Sequence, residues 1–176
     1  PLQNTPGSGL HLAVSITKNG QNLFHPSIEE SEEGRQFVAG VLRRAAEMTI
    51  FGNPLTNSFQ RLGEFEAPKY ITWSHQNRAP LITVPLATGG KPNCFKLRSF
   101  DGCINPYIVF ALLIHAGLDG IEDRLELVPA CEENLFTSSE AVLARYDALP
   151  ESLCEAIRTA QNSDFIAKYL PEKMRA

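Results

Sequence analysis

The stretch INPYIVFALLIHAGLDG, residues 104–120, constrains the fold more than any other feature. Asn105 reads as an N-cap and Pro106 as the first helical residue, where its missing N–H is one that a helix leaves unpaired anyway. The helix that follows is apolar on nearly every face, so the pattern predicts a buried helix. Its longest apolar run, Tyr107 to Leu118, is too short to span a bilayer, so protein layers must cover it. With 43% hydrophobic residues among 176, the chain has material for one ordinary core.

The rest of the chain supplies those layers. LHLAVSI alternates apolar with small or polar residues, TKNGQ carries an Asn-Gly turn signal and NLF resumes an extended pattern, which predicts a β-hairpin. A helix is expected from Ser27, which with Glu30 forms a capping box. Phe37, Val38, Val41, Leu42 and Ala45 recur at helical spacing, Arg43 and Arg44 suit the negative pole, and FGNP ends the helix. KYITW, PLITVPL and CFKLRSF read as strands. TSSEAVLARY, PESLCEAIRTAQ and DFIAKYL read as short amphipathic helices punctuated by Pro129, Pro150 and Pro171. Strands joined without regular crossover helices, with helices gathered around them, give an α+β class with a largely antiparallel sheet.

Charge and cysteine usage narrow the partners. Sixteen basic against 20 acidic residues, a formal charge of -4, leave no basic stripe to follow a phosphodiester backbone, so nucleic acid is not an expected partner. Cys94, Cys103, Cys131 and Cys154 form no C-x-x-C pair, which fits free thiols and a cytoplasmic location. No membrane segment or signal pattern is expected.

Residues that could carry chemistry cluster around NSFQRLGEFEAPKYITWSHQNR, residues 57–78, which shows no sign of a long helix. Arg61, Arg78 and Arg98 suit carboxylate or phosphate through paired N–H donors, yet arginines in such settings more often form surface ion pairs. Glu64 and Glu66 fall on opposite faces if the segment is extended, so at most one faces a cleft. His11 follows the flexible GSG loop; a strand histidine is a normal metal ligand, although a single one is more often an ordinary partly buried residue.

Read in order, GSGLH, KNGQNLF, FGNPLTNSFQRLGEFEAPKYITWSHQNR, LRSFDGCINPY and ALLIHAGLDGI resemble the C-terminal part of glutamine synthetase, and NLFTSSE and LPESLCEAI extend the similarity nearly to the end. The resemblance implies a twisted, mostly antiparallel catalytic sheet with outer helices, an architecture shared with guanidino kinases. Residues 1–176 would then be the C-terminal part of the catalytic domain, without the small N-terminal domain. It implies ATP-dependent ligation of ammonia to glutamate through γ-glutamyl phosphate, supported by Mg2+ or Mn2+, in a homo-oligomer whose sites lie between subunits.

Carried over by motif, Arg61 would hold the glutamate carboxylate and Glu66 would close over the substrate and help deprotonate ammonium. Arg78 would face the nucleotide phosphates, Arg98 the substrate or phosphoryl group, His11 a metal and Ser15 the ATP base. Gly7 belongs to a loop that touches the amino-acid end of the substrate. The departures concentrate on metal and phosphate. Lys96 stands where the family has a metal-ligating glutamate, which impairs one metal site because a protonated amine cannot donate a lone pair. Ala13 and Thr83 replace ATP- and phosphate-facing residues, and Pro6 replaces the asparagine of N-G-S-G. Two readings follow: part of a ligase, inactive as these residues alone, or a degenerate protein that binds nucleotide, amino acid or a protein partner without catalysis.

Overall fold

The computed structural model describes residues 7, 9–75, 77, 79–85 and 93–174. Strand β1 (Gly9–Val14) is followed by a ribbon of β2 (Thr17–Lys18) and β3 (Gln21–Asn22), whose antiparallel pairing turns at Asn19 and Gly20 with φ of 54° and 81°. Two successive positive φ values are what the Asn-Gly pair accommodates, so the expected hairpin forms there. It is short, because β1 instead pairs with β6 (Phe95–Asp101). With β4 (Trp73–Ser74) and β5 (Ile82–Thr83) these make a four-stranded sheet in the order β1-β6-β5-β4, antiparallel except between β4 and β5.

Alternation along β1 and β6 gives the sheet two different faces. Leu12, Leu97, Ile82 and Trp73 lie in one register row and pack into the core. Ala13, Lys96, Thr83 and Ser74 form the next row, on the opposite face because side chains alternate. The apolar face carries the helices α1 (Glu32–Arg43), α2 (Ala45–Gly52) and α4 (Pro106–Glu122), with Phe24, Phe37 and Phe95 meeting at ring centroids 6.0 to 6.1 Å apart. Each such buried aromatic or aliphatic side chain stabilises the fold by about 1.5–3 kcal/mol. Helices α6 (Leu153–Gln161) and α7 (Asp164–Tyr169) complete the layer, while α5 (Glu140–Leu143) sets Leu143 against a separate small cluster of Ala79, Cys131 and Leu135; Ser152 and Ser163 cap α6 and α7 through their hydroxyls. No helix of the described residues is long and apolar enough to cross a membrane.

Four local expectations change. Ser27 accepts a hydrogen bond from the Glu30 N–H, but α1 begins at Glu32 with Ser31 as its cap, because a turn is needed to drive Ile28 into the core. The helix does not run unbroken to FGNP: it breaks at Arg44, whose guanidinium pairs with Glu47 at 2.9 Å and lies 5.1 Å from the Phe165 ring, and α2 turns toward α6 and α7. KYITW divides its pairing, since Lys69 and Ile71 bond to Leu149 and Asp147 while only Trp73 and Ser74 join the sheet. Finally, α4 buries Val109, Leu112, Leu113, Ala116, Gly117 and Gly120 but leaves Tyr107, Phe110, Ile114 and Leu118 exposed along the opposite stripe.

Candidate active site

The polar face of the sheet and the segment after α3 (Thr56–Arg61) enclose a cleft of about 560 Å³ lined by Gly7, Gly9, His11, Arg61, the 64–67 turn and Arg98. Arg61 ends a helix that the sequence did not announce, and its Nη2 ties three segments together. It donates to Asn53 Oδ1 at 3.2 Å, to the Phe100 carbonyl at 3.1 Å and to the Ser99 carbonyl. A Cβ added at Gly7 would lie 3.3 Å from Arg61 Cδ, and one at Gly9 3.3 Å from its Nη1, so these glycines make the room the guanidinium occupies. Burial lowers the Arg61 pKa from its usual value, against an opposing pull from Asp101.

Beyond Arg61 the chain does not extend. Hydrogen bonds from Glu64 N to Arg61 O, Ala67 N to Glu64 O and Gly63 N to Ala67 O, at 2.9–3.1 Å, close a tight turn with Gly63 and Phe65 at φ of 87° and 54°. For phenylalanine that is the strained left-handed region. The turn corrects the expectation that only one of Glu64 and Glu66 could face a cleft: both line it. Arg98 Nη2 donates to the Glu66 carbonyl at 3.4 Å and lies 4.0 Å from its carboxylate.

Arg98 reaches this position through an irregularity in the ladder. Leu10 pairs with Phe100 and Leu12 with Leu97, so Arg98 and Ser99 together oppose His11 alone, a bulge that re-aims the strand beside the cleft. The exposed His11 has its pKa lowered by partial burial and then by the positive charges of Arg98, Lys96 and Arg61, with Glu66 opposing. Lys96, on the same face, is exposed; its register neighbours are Ala13 and Thr83, and the Thr83 hydroxyl is buried without a partner among the described residues.

Five residues expected from sequence, Gly7, His11, Arg61, Glu66 and Arg98, therefore meet in one cleft. Ser15 does not join them: it is exposed just past β1, about 13 Å along the strand from His11. Arg78 and Pro6 lie outside the described residues. Sequence reasoning missed two supports. Asn53, fully buried, was legible only as the end of a helix, and Asp101 receives Ser58 Oγ at 2.9 Å beneath the site. Neither residue type signals such a role until Arg61 and α3 are in place. Among the described residues no group of three His, Cys, Asp or Glu could hold a metal ion.

Comparison with known proteins adds an independent line. The sequence model described as "Glutamine synthetase, catalytic domain" matches residues 1–176. The chain is 38% identical over 173 residues to the glutamine synthetase of Pyrococcus furiosus, covering 97% of this chain and 39% of that protein. It is 38% identical over 176 residues to that of Staphylococcus aureus, with the same two shares. It thus spans about two fifths of the length of the curated relatives it matches. Among solved structures, apo GmaS without ligand superposes with a TM-score of 0.83 at 28% identity, over 97% of this chain and 39% of that one. A GmaS/ADP complex gives 0.81 at 28% identity, over 94% and 39%.

Proposed function

Because this chain belongs to the glutamine synthetase catalytic-domain family, we propose that it supplies part of a site for ATP-dependent ligation of ammonia to glutamate in a larger, homo-oligomeric protein. The observation that carries this reading is the convergence of Arg61, Glu66, Arg98 and His11 on one cleft from α3, the turn after it, β6 and β1. In this reading the γ-carboxylate of glutamate attacks the γ-phosphorus of ATP, ADP leaves, and γ-glutamyl phosphate forms. Ammonia then attacks the acyl carbon and phosphate departs with the C–O bond electrons.

Each side chain has a task that its geometry suits. Arg61 has Nη2 committed to Asn53 and β6 carbonyls, which holds the fork still while Nη1, beside Gly9, is left for the substrate carboxylate. Glu66 accepts a proton from ammonium, and its tight turn can close over the cleft. Arg98, anchored to the Glu66 peptide, balances negative charge that develops on the phosphoryl oxygens. Ser15 and Arg78 would serve the nucleotide, and Gly7 gives the amino-acid end its approach. The 176 residues by themselves do not turn over.

The family also implies Mg2+ or Mn2+, and the described residues do not fit a divalent cation. His11 offers one nitrogen, and Lys96, across β1 and on the same face, offers positive charge instead of a carboxylate. No step above is routed through a metal. The same observation favours a second reading, a non-catalytic relative that binds nucleotide, amino acid or a protein partner.

One experiment separates the two readings. In the full-length protein, glutamate with ATP should protect residues 61–68 from hydrogen exchange, and Glu66→Ala should lower turnover by about 10²–10⁴-fold while glutamate affinity stays within about threefold. Protection without any turnover in the unmodified protein would select the binding reading. Unchanged exchange together with normal turnover in Glu66→Ala would remove this cleft from the reaction.

A further inference from the structure

The polar sheet face carries an ammonium that no ion pair neutralises among the described residues. Lys18, Lys69 and Lys168 pair with Glu33, Glu151 and Asp119 at 3.4, 2.7 and 3.0 Å. Among the described residues Lys96 has no such partner, although it is exposed in the middle of a four-residue register row. On one side of it stands Ala13, too small to shield it; on the other stands Thr83, whose Oγ1 is buried and has no partner among the described residues. A buried hydroxyl without a partner is uncommon and points to a group that completes it. Two residues along β6 from Lys96 comes Arg98, and across β1 from the bulge comes His11. One hydroxyl and two permanent cations, with an imidazole that can donate, form a set of donors; the Glu66 carboxylate lies 4.0 Å from Arg98 Nη2 at its edge, and the row of Ala13, Lys96, Thr83 and Ser74 holds no carboxylate.

We propose that Lys96, Thr83 and Arg98 form an anion subsite that holds a phosphoryl-class dianion directly, with the lysine ammonium standing where a divalent cation would otherwise screen the charge. The donor chemistry supports this choice. An ammonium gives three N–H donors and a point charge, a hydroxyl gives one more, and arginine adds a planar fork, all of which match tetrahedral oxyanions. A cation approaching the same row would meet Lys96 first and be repelled. The location beside Arg61 and Glu66 rests on the reading of the cleft as the site. The subsite itself needs neither glutamate nor nucleotide.

Titrating inorganic phosphate into the 176-residue chain by calorimetry, in excess EDTA, tests it. Saturable binding is expected, unchanged when MgCl2 replaces EDTA. Lys96→Met should weaken it at least about tenfold, Thr83→Val severalfold, and Lys96→Arg should keep it within about threefold. Circular dichroism of the Lys96 variants checks the fold, and Lys96→Arg keeps the charge while altering the shape. The proposal falls if phosphate fails to bind in EDTA, if binding requires Mg2+, or if Lys96→Met binds as tightly as the unmodified chain. Those outcomes leave the ligation reading untouched, since that depends on turnover in Glu66→Ala.

Discussion

Arg61 is the residue on which local structure and candidate chemistry depend together. Lysine at this position keeps the charge but cannot reach the Asn53 oxygen and two β6 carbonyls from one planar group. Arg61→Lys should therefore lower stability by about 1–3 kcal/mol in urea unfolding, before any ligand is added. A second residue-scale expectation concerns pH. Glu133 accepts from the Tyr146 hydroxyl at 2.7 Å, which lowers its pKa below the ordinary 4.5 against an opposing effect of burial, with Arg145 helping at 2.7 Å. A depressed folded pKa means that the carboxylate stabilises the fold above about 4.5 and that this contribution is lost as pH falls through the folded value. The unfolding midpoint of the native chain should drop in that acidic window, whereas Glu133→Gln should flatten the dependence. An equal slope in both would remove Glu133 as its source.

At the scale of elements, the crossing of α1 and α4 is the tightest contact in the layer. A Cβ on Gly40 would lie 2.1 Å from the Ala116 carbonyl and 2.8 Å from Gly120 Cα, and one on Gly120 would lie 2.2 Å from the Gln36 carbonyl. The two backbones touch, so no side-chain rearrangement can relieve an added methyl group. Gly40→Ala should destabilise the chain by about 3 kcal/mol, against a slight gain from helix propensity alone, measured by thermal or urea unfolding. A stable Gly40→Ala protein would mean that the helices sit further apart. The same crossing holds Phe37 against Gly117 and so fixes the aromatic cluster under β6, on whose other face Lys96 and Arg98 are presented.

At the scale of the whole molecule, α1, α2 and α4 lie on one side of a narrow sheet and the candidate site on the other, which leaves apolar surface at the outer helix layer. Tyr107, Phe110, Ile114 and Leu118 on α4 are 87, 45, 50 and 48% exposed. A continuous stripe of this kind favours association. Sedimentation of the 176-residue chain should show self-association that rises with concentration, and Ile114→Glu with Leu118→Lys should reduce it without changing the far-ultraviolet spectrum. A monomer at all concentrations would show that the stripe is tolerated in water.

The sequence by itself determined what depends on near neighbours and on recurring motif. The Asn19-Gly20 turn, the Asn105-Pro106 start of α4 and the serine-capped C-terminal helices follow from backbone preferences within a few residues. The motif order also carried the family and the grouping of Arg61, Glu66, Arg98 and His11. Tertiary structure decided the rest, because it depends on contacts between distant segments. The split of KYITW between Leu149 and β5 requires the C-terminal helices to be packed, and the break at Arg44 requires Phe165. The exposed stripe on α4 could not be read from composition, since an all-round apolar helix looks the same whether one face is covered or open. The bulge that sets Arg98 opposite His11 arises only from the register of strands some 80 residues apart, and the pairing that puts Lys96 beside Thr83 only from the register of β5 against β6. Register is a property of the ladder, and no single strand encodes it.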